Sequence, residues 1–248
     1  MRRFGLIGRK LSHSFSAKYF AEKFERESLS DECRYDLFEM EDISCVEEFI
    51  ASTEGLVGFN VTIPYKQQII PYLTSLSDEA RNIGAVNCVK ILPDGSRIGY
   101  NTDVDGVRVS LDKLLGADEI EYALVLGTGG ASQAVQYVLA ERGISFSLVS
   151  RDAMKGNIVY DDLTPEVIAA NRLIINTTPV GMCMYPHNEQ APDIPYEELT
   201  SNHYLFDLVY NPERTLFLER GAVRGAHTLS GLDMLYAQAE SAWKIWNE

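Results

Sequence analysis

The sequence predicts an α/β fold in two domains, and three observations carry that prediction. Over residues 122–151 an apolar run, a glycine-rich turn, a stretch of helical spacing and a second apolar run follow one another. Over residues 4–100 short apolar runs alternate with stretches of helical spacing, the pattern of an α/β domain. The chain has 248 residues, 46% of them hydrophobic, enough for two modest cores.

Residues 4–8 form the first apolar strand, which runs into the polar loop Arg9-Lys10-Leu11-Ser12-His13-Ser14-Phe15-Ser16. Tyr19, Phe20 and Phe24 then recur at helical spacing. Residues 35–40 read as a strand and 43–51 as a helix with Val46, Phe49 and Ile50 inward. The next strand, 58–63, ends in Asn60-Val61-Thr62-Ile63-Pro64-Tyr65-Lys66, with Pro64 suited to the first turn of a following helix. Ser77 caps a short helix over 77–83. Runs 86–92 and 97–100 flank the hairpin turn Pro93-Asp94-Gly95. Asn101-Thr102-Asp103 follows, then a helix over 104–115.

Residues 122–126 suit a buried strand, and Gly127-Thr128-Gly129-Gly130-Ala131-Ser132 is the turn. Residues 131–142 place Ala134, Val135, Val138 and Leu139 on one helical face, and 144–149 suit a second strand. This order is the βαβ unit of a dinucleotide site. Its glycines let the backbone approach a pyrophosphate, and the helix N-terminus offers N–H groups and partial positive charge. The match to G-x-G-x-x-G or G-x-G-x-x-A is loose, since Ser132 or Gln133 holds the third small position. Taken alone, the loop could be a tight turn of any α/β protein, and the strand–helix–strand context argues for the nucleotide. Later strands are 173–176 and 204–209, separated by a long loop over 177–195 rich in Pro, Met and Asn. The last helix, 232–246, puts Leu235, Ala239, Ala242 and Trp246 on one face and is expected to return to the first domain. The expected domains are therefore 1–102, with 232–248 packed back on it, and 103–231.

With 22 basic and 36 acidic residues, the formal net charge of −14 disfavours nucleic acid and anionic membranes as partners. An anionic ligand must then be held by a local site. The chain shows no transmembrane run and no apolar signal segment at its start. Cys33, Cys45, Cys88 and Cys183 lack C-x-x-C spacing and read as reduced thiols of a cytoplasmic protein. His13, His187, His203 and His227 are scattered, so no zinc site is expected, and His13 reads as structural.

Polar residues gather just beyond the apolar strands, where α/β folds hold ligands: Ser14 and Ser16, Asn60, Thr62 and Lys66, Asn87, Asn101 and Asp103, and Tyr210. Each has a plain structural role beside the functional one. The serines could cap the helix of Tyr19, and Asn60 and Asn87 could be turn residues. Lys66 could be a solvated charge, Asp103 an N-cap, and Gln238 a water-facing helix residue.

Together they resemble the shikimate dehydrogenase family from residue 4 to residue 246. The resemblance rests on His13-Ser14-Phe15-Ser16, Asn60-Val61-Thr62-Ile63-Pro64-Tyr65-Lys66, Gly84-Ala85-Val86-Asn87 and Asn101-Thr102-Asp103. It continues through the glycine turn, Asn176-Thr177-Thr178-Pro179-Val180-Gly181-Met182, Asp207-Leu208-Val209-Tyr210-Asn211-Pro212, and Gly231-Leu232-Asp233-Met234-Leu235 with Gln238-Ala239. Ala17 stands where the family usually has proline, and Cys88 where it has threonine. The implied fold is an N-terminal α/β substrate domain joined to a Rossmann-type dinucleotide-binding domain.

The implied reaction is hydride transfer between NADP(H) and the 3-dehydroshikimate/shikimate pair, in aromatic amino acid biosynthesis. By resemblance, Lys66 and Asp103 are catalytic. An ammonium can protonate a forming alkoxide, while a neighbouring carboxylate keeps it charged and burial opposes that. Ser14 and Ser16 would hold the substrate carboxylate with Tyr210 nearby, and Thr62, Lys66, Asn87, Asp103 and Gln238 would hold the ring, with Asn60 bracing the loop. Gly127, Thr128, Gly129, Gly130, Ala131, Thr177, Leu208 and Gly231 would line the cofactor, the Met182 loop and Leu208 lying against the nicotinamide. Ser150, Arg151 and Lys155 would meet the 2′-phosphate of NADP; Asp152 argues for NAD. The rivals are a quinate or dual-specificity enzyme, a non-catalytic dinucleotide-binding protein, and a folate dehydrogenase of related architecture, which leaves the serine pair unexplained. The expected partner is a small molecule, with no nucleic acid, membrane or metal, and the chain is a monomer or homodimer.

Overall fold

The computed structural model describes residues 1–11, 14–183 and 190–248. It divides into two compact units, one of Met1–Thr102 with Ala239–Glu248 and one of Asp103–Gln238.

The first unit holds β1 (Arg2–Gly8), α1 (Phe15–Arg26), β2 (Cys33–Glu39), α2 (Val46–Ser52), β3 (Leu56–Val61), β4 (Ser75–Leu76), α3 (Asp78–Ile83), β5 (Cys88–Ile91) and β6 (Arg97–Tyr100). They form one sheet in the order β2-β1-β3-β5-β6-β4. β1 runs parallel to β2 and β3, whereas β5 runs antiparallel to β3 and β6. The reversal matters for the site: it brings the start of β5 and the end of β6 to the edge where β3 ends.

Strand alternation feeds two apolar layers, one on each face of this sheet. Phe4, Phe20, Phe24, Tyr35, Ala239, Ala242 and Trp246 share one cluster; Ile7, Phe59, Val61, Tyr65, Ile69 and Val89 share the other. The end of the last helix, α8 (Leu232–Asn247), belongs to the first layer. The Trp246 ring sits 4.9 Å from Phe4, and its Nε1 donates to the Val89 carbonyl at 3.0 Å. Lys23, only 4% exposed, binds Glu240 and Glu27 at 2.8 Å each, so this buried ammonium is paired on two sides.

The second unit holds α4 (Asp103–Leu115), β7 (Tyr122–Leu126), α5 (Gly130–Glu141), β8 (Ser145–Ser150), β9 (Ile158–Val159), α6 (Pro165–Ala170), β10 (Leu173–Asn176), β11 (Tyr204–Asp207), α7 (Leu216–Val223), β12 (His227–Leu229) and the start of α8. Its sheet is parallel throughout, in the order β12-β11-β10-β7-β8-β9. Every residue of β10 and β11 is buried, which is why they read as continuous apolar runs rather than alternations. From β7 the chain first builds outward through β8 and then returns to β10 on the other side. That reversal opens a crevice beyond the strands' C-terminal ends. No described helix is long and apolar enough to cross a membrane.

Two expectations change. No α-helix follows Pro64. Successive turns run from Thr62, with Tyr65 N–H to the Thr62 carbonyl at 2.9 Å and Ile69 N–H to the Tyr65 carbonyl at 2.9 Å, into a short 3-10 turn over Ile70–Tyr72. Tyr65 is the cause: it is 1% exposed and its hydroxyl donates to the Met40 carbonyl at 2.6 Å, and Pro71 lacks the N–H a continuing helix needs. The short elements β4, β9, β12, α6 and α7 add to those the sequence predicts; two- and three-residue strands are too short to carry a period.

Gly58 faces the aromatic layer. A Cβ there would lie 2.4 Å from the Trp246 ring and 2.6 Å from the Val89 carbonyl oxygen, which belongs to a paired strand. Gly58→Ala is therefore expected to destabilise the chain by about 1–3 kcal/mol and to displace Trp246. Thermal denaturation with near-ultraviolet circular dichroism checks this; an unchanged melting curve and aromatic spectrum would contradict the packing.

Candidate active site

In the first unit three loops meet at one edge of the sheet. β1 ends at Gly8 and β3 at Val61, and the antiparallel β5 begins beside β3, where the Val61 N–H donates to the Asn87 carbonyl at 2.9 Å. Asn60 lies at this junction, 6% exposed. Its Oδ1 accepts from the Tyr35 hydroxyl at 2.9 Å and its Nδ2 donates to the Asn87 carbonyl at 3.1 Å. Asn87, 3% exposed, uses its Oδ1 to accept from the Thr102 N–H at 2.7 Å and the Thr102 hydroxyl at 3.2 Å. That engagement fixes which way its carboxamide faces. Asn101 braces the same turn, its Nδ2 donating to the Ala85 carbonyl at 3.0 Å.

Tyr35 is buried at this junction, and burial pushes its pKa well up, an effect the Ser16 side chain opposes. Ser14 is the N-cap of α1, its Oγ accepting from the Ser16 N–H at 3.3 Å. Capping leaves the hydroxyl proton available to donate, so cap and ligand roles are compatible. Gly8 lets the loop pass: a Cβ there would lie 2.6 Å from the Thr62 methyl and 2.7 Å from Leu11. Thr62 is half-buried, its N–H bonded to the Ile7 carbonyl at 3.0 Å. Lys66 is also half-buried, and its carbonyl accepts from the Val86 N–H at 2.7 Å, so its backbone is tied to the loop carrying Asn87. Thr62, Lys66 and Asn87 are thus joined by short hydrogen-bonded links. His13 lies outside the described residues.

In the second unit Asp103 is the first residue of α4 and 9% exposed. The glycine turn leaves β7 with Gly127 at φ +104, a left-handed conformation, and a Cβ there would lie 2.8 Å from the Thr178 methyl and 2.9 Å from the Thr177 hydroxyl. Gly129 and Gly130 are exposed, with open space where a Cβ would be, and no side chain caps α5. That is a bare helix N-terminus with room for a phosphate. Thr128 and Ala131 are half-buried beside it. Ser132, the loose position of the motif, is fully buried and donates to the Gly129 carbonyl at 2.7 Å, shaping the turn from beneath.

At the end of β8, Ser150 is 7% exposed and its Oγ accepts from the Asp152 N–H at 3.1 Å. The Asp152 carboxylate accepts from the Met154 N–H at 3.0 Å and pairs with Lys155 at 3.6 Å. Lys155 therefore stands next to Asp152 in an exposed pair rather than apart from it. Arg151 is exposed and, among the described residues, makes no ion pair; its charge offsets the upward push that burial gives the Tyr160 hydroxyl.

The remaining candidates stand over β10, β11 and the start of α8. Thr177 donates its N–H and hydroxyl to the Leu126 carbonyl at 2.9 and 2.8 Å. Leu208 donates its N–H to the Asn176 carbonyl at 2.9 Å. A Cβ at Gly231 would lie 2.2 Å from the Leu208 carbonyl oxygen, so no side chain fits there. Tyr210 is half-buried, which raises its pKa, and Gln238 is half-buried rather than water-facing, its Nε2 donating to the Leu235 carbonyl at 3.1 Å. Cys183 and Cys45 are exposed and Cys33 and Cys88 buried, all as free thiols. Among the described residues no His, Cys, Asp and Glu group could hold a metal, and His187 lies outside them.

Asp207 is a residue whose role sequence reasoning missed. It is fully buried, with no cation beside it among the described residues, and is held by Asn176 at 2.9 Å, Thr215 at 2.6 Å and the Val209 N–H at 3.0 Å. The signal in the sequence was a polar residue closing an apolar strand, as Asn176 also does. Burial pushes its carboxyl up to about 6, against about 3.9 in an unfolded chain. As pH rises the unfolded chain gives up this proton first, so folding loses stability from this group between about pH 4 and about pH 6 and the loss persists above. The stability of the wild-type chain relative to Asp207→Asn is expected to fall by as much as about 3 kcal/mol across that window and to level off above it. Denaturant unfolding of both proteins at a series of pH values measures this; a difference that stays flat contradicts it.

Residues 6–89 match the family model for the shikimate dehydrogenase substrate binding domain. A shikimate dehydrogenase (NADP(+)) from Clostridium beijerinckii is 41% identical over 260 residues, spanning 100% of this chain and 93% of its own. Among solved structures, a shikimate 5-dehydrogenase from Thermus thermophilus in complex with NADP(H) and shikimate superposes with a TM-score of 0.85 at 29% identity, covering 99% of this chain and 93% of that one. A quinate dehydrogenase from Corynebacterium glutamicum in complex with NAD superposes with a TM-score of 0.88 at 26% identity, covering 99% and 93%. With a relative so similar along its whole length, and with the serine, Asn60–Lys66 and glycine-turn loops built as described, this chain belongs to the shikimate dehydrogenase family.

Proposed function

We propose that this chain catalyses the reversible NADPH-dependent reduction of 3-dehydroshikimate to shikimate. The observation that carries the reading is its full-length similarity to NADP(+)-dependent shikimate dehydrogenases, with lysine and aspartate present at positions 66 and 103. The glycine turn fits a dinucleotide: Gly127 makes the tight left-handed turn against Thr177 and Thr178, Gly129 and Gly130 leave room for backbone approach, and the α5 N–H groups meet the pyrophosphate. When bound, the nicotinamide supplies the hydride.

The chain's own residues do the rest. Ser14 and Ser16 donate hydrogen bonds to the substrate carboxylate, with Tyr210 assisting, so an anion is held without a cation by fixed hydroxyls. Thr62, Asn87 and Gln238 read the ring hydroxyls. The Lys66 ammonium gives its proton to the oxygen of the reduced carbonyl, and its charge stabilises that oxygen as negative charge develops. Asp103 is the carboxylate of this acid–base pair and favours the charged lysine. Thr177, Leu208 and Gly231 receive the nicotinamide half. We further infer a cytoplasmic protein, from four unpaired thiols, acting as a monomer or homodimer.

The second reading is a quinate or dual-specificity enzyme using NAD, favoured by the superposition on an NAD-bound quinate dehydrogenase. The serine pair and Arg151 favour shikimate and NADP. Arg151 can stack on the adenine and fork onto the 2′-phosphate, while Asp152 has Lys155 beside it at 3.6 Å.

Two variants test the reading in an absorbance assay with shikimate or quinate and either nicotinamide cofactor. Lys66→Ala should lower kcat by about 10²- to 10⁴-fold while NADP affinity holds; near-wild-type turnover would remove Lys66 from the chemistry. The unmodified enzyme should favour NADP over NAD in kcat/KM, and Arg151→Ala should erode that preference by roughly 10- to 100-fold, the worth of one or two charged hydrogen bonds. Equal or better kcat/KM with NAD, or with quinate, would move the chain to the second reading.

A further inference from the structure

Among the described residues, the fully buried Asp207 carboxylate faces only neutral donors: Asn176 Nδ2, the Val209 N–H and the Thr215 hydroxyl. A well-packed apolar residue is commonly no worse for stability than such a group, so stability alone does not explain it. Its partners have something else in common. Each lies on a different segment at the C-terminal edge of the second unit's sheet: Asn176 ends β10, Val209 follows β11, and Thr215 is the N-cap of α7.

The contacts extend one residue further on every side. Asn176 Oδ1 accepts from the Thr178 N–H at 3.0 Å and the Thr178 hydroxyl at 2.7 Å, setting the Thr177-Thr178 turn. The Val209 carbonyl accepts from the Gly231 N–H at 3.1 Å, and Leu208 bonds back to the Asn176 carbonyl at 2.9 Å. Thr177, Leu208, Tyr210 and Gly231 are thus each adjacent in sequence to a residue bonded to Asp207, part of Asp207's own strand end, or bonded to Val209.

Topology says which half of a dinucleotide these residues meet. The glycine turn after β7 marks the pyrophosphate, β8 with Ser150 and Arg151 lies on the adenosine side, and β10 and β11 lie on the other. We propose that Asp207 is a positioning residue whose carboxylate fixes together the three segments that receive the nicotinamide half of the cofactor. This rests on the dinucleotide reading of the unit. It predicts a split: loss of Asp207 disturbs the nicotinamide end and leaves the adenosine end intact.

The experiment uses the full chain with Asp207→Asn, Thr215→Val and Thr215→Ser. Calorimetric titration with adenosine 2′,5′-bisphosphate probes the adenosine half alone, titration with NADPH probes the whole, and steady-state assays give kcat and the KM for shikimate. Asp207→Asn should bind the bisphosphate within about two-fold of wild type yet lose roughly 10- to 100-fold in kcat, the effect of misplacing a reacting group by about 1 Å, with the KM for shikimate little changed. Thr215→Val should move kcat the same way by less, and Thr215→Ser, which restores the donor, should recover it. If Asp207→Asn does not fold, the Thr215 pair decides by the same criterion. Unchanged kcat, or parallel losses for bisphosphate and NADPH with no recovery in Thr215→Ser, overturns the positioning role and leaves Asp207 structural. A wild-type chain that binds neither ligand overturns the dinucleotide reading and this inference with it.

Discussion

The Asn60 carboxamide is the contact on which the first unit's site depends. Buried amides must find partners, and an unmade hydrogen bond here costs about 1–3 kcal/mol. Asn60 satisfies itself with Tyr35 on one side and the Asn87 backbone on the other. Because Asn87 in turn holds Thr102, one buried polar chain runs from Tyr35 on β2 to the last residue of the unit's first segment. In a low-dielectric interior such a chain has few alternative arrangements, so satisfying it specifies the relative placement of the loops. The aromatic layer around Phe4, Phe20 and Trp246 gives bulk stability without that specificity.

The second unit solves the same problem with a charge. The glycine turn needs open space and bare N–H groups, which it obtains from backbone conformation and the absence of side chains. The opposite end of the crevice needs shape, and there a buried carboxylate gathers donors from three segments. Its energetic cost is visible in a carboxyl that burial pushes up to about 6. Perturbed groups of this kind concentrate at functional edges because strain and desolvation are tolerated where position matters more than stability.

A chain of net charge −14 that binds anionic ligands must do so locally. The groups proposed for that task are hydroxyls at the serine loop, N–H groups at α5, and an arginine at the end of β8. Lys155, a cation close to that arginine in sequence, forms an exposed pair with Asp152 instead.

By itself the sequence determined the α/β class, the βαβ unit with its glycine turn, and the loops bearing Ser14, Ser16, Lys66, Asn87 and Asp103. Those are local properties: a period of two or 3.6, a glycine where the backbone must come close, a polar residue closing an apolar strand. Tertiary structure decided what local chemistry cannot. The segment after Pro64 is turns rather than helix because Tyr65 is drawn to the Met40 carbonyl. β5 is antiparallel because of its strand partners, and that brings Asn87 to the edge where Lys66 lies. Asp207 gains its character from Asn176, 31 residues away, and Asn60 from Tyr35, 25 residues away. Hydrogen-bond partners at such separations are chosen by the sheet's strand order, and strand order is set by packing the whole chain rather than by any window within it.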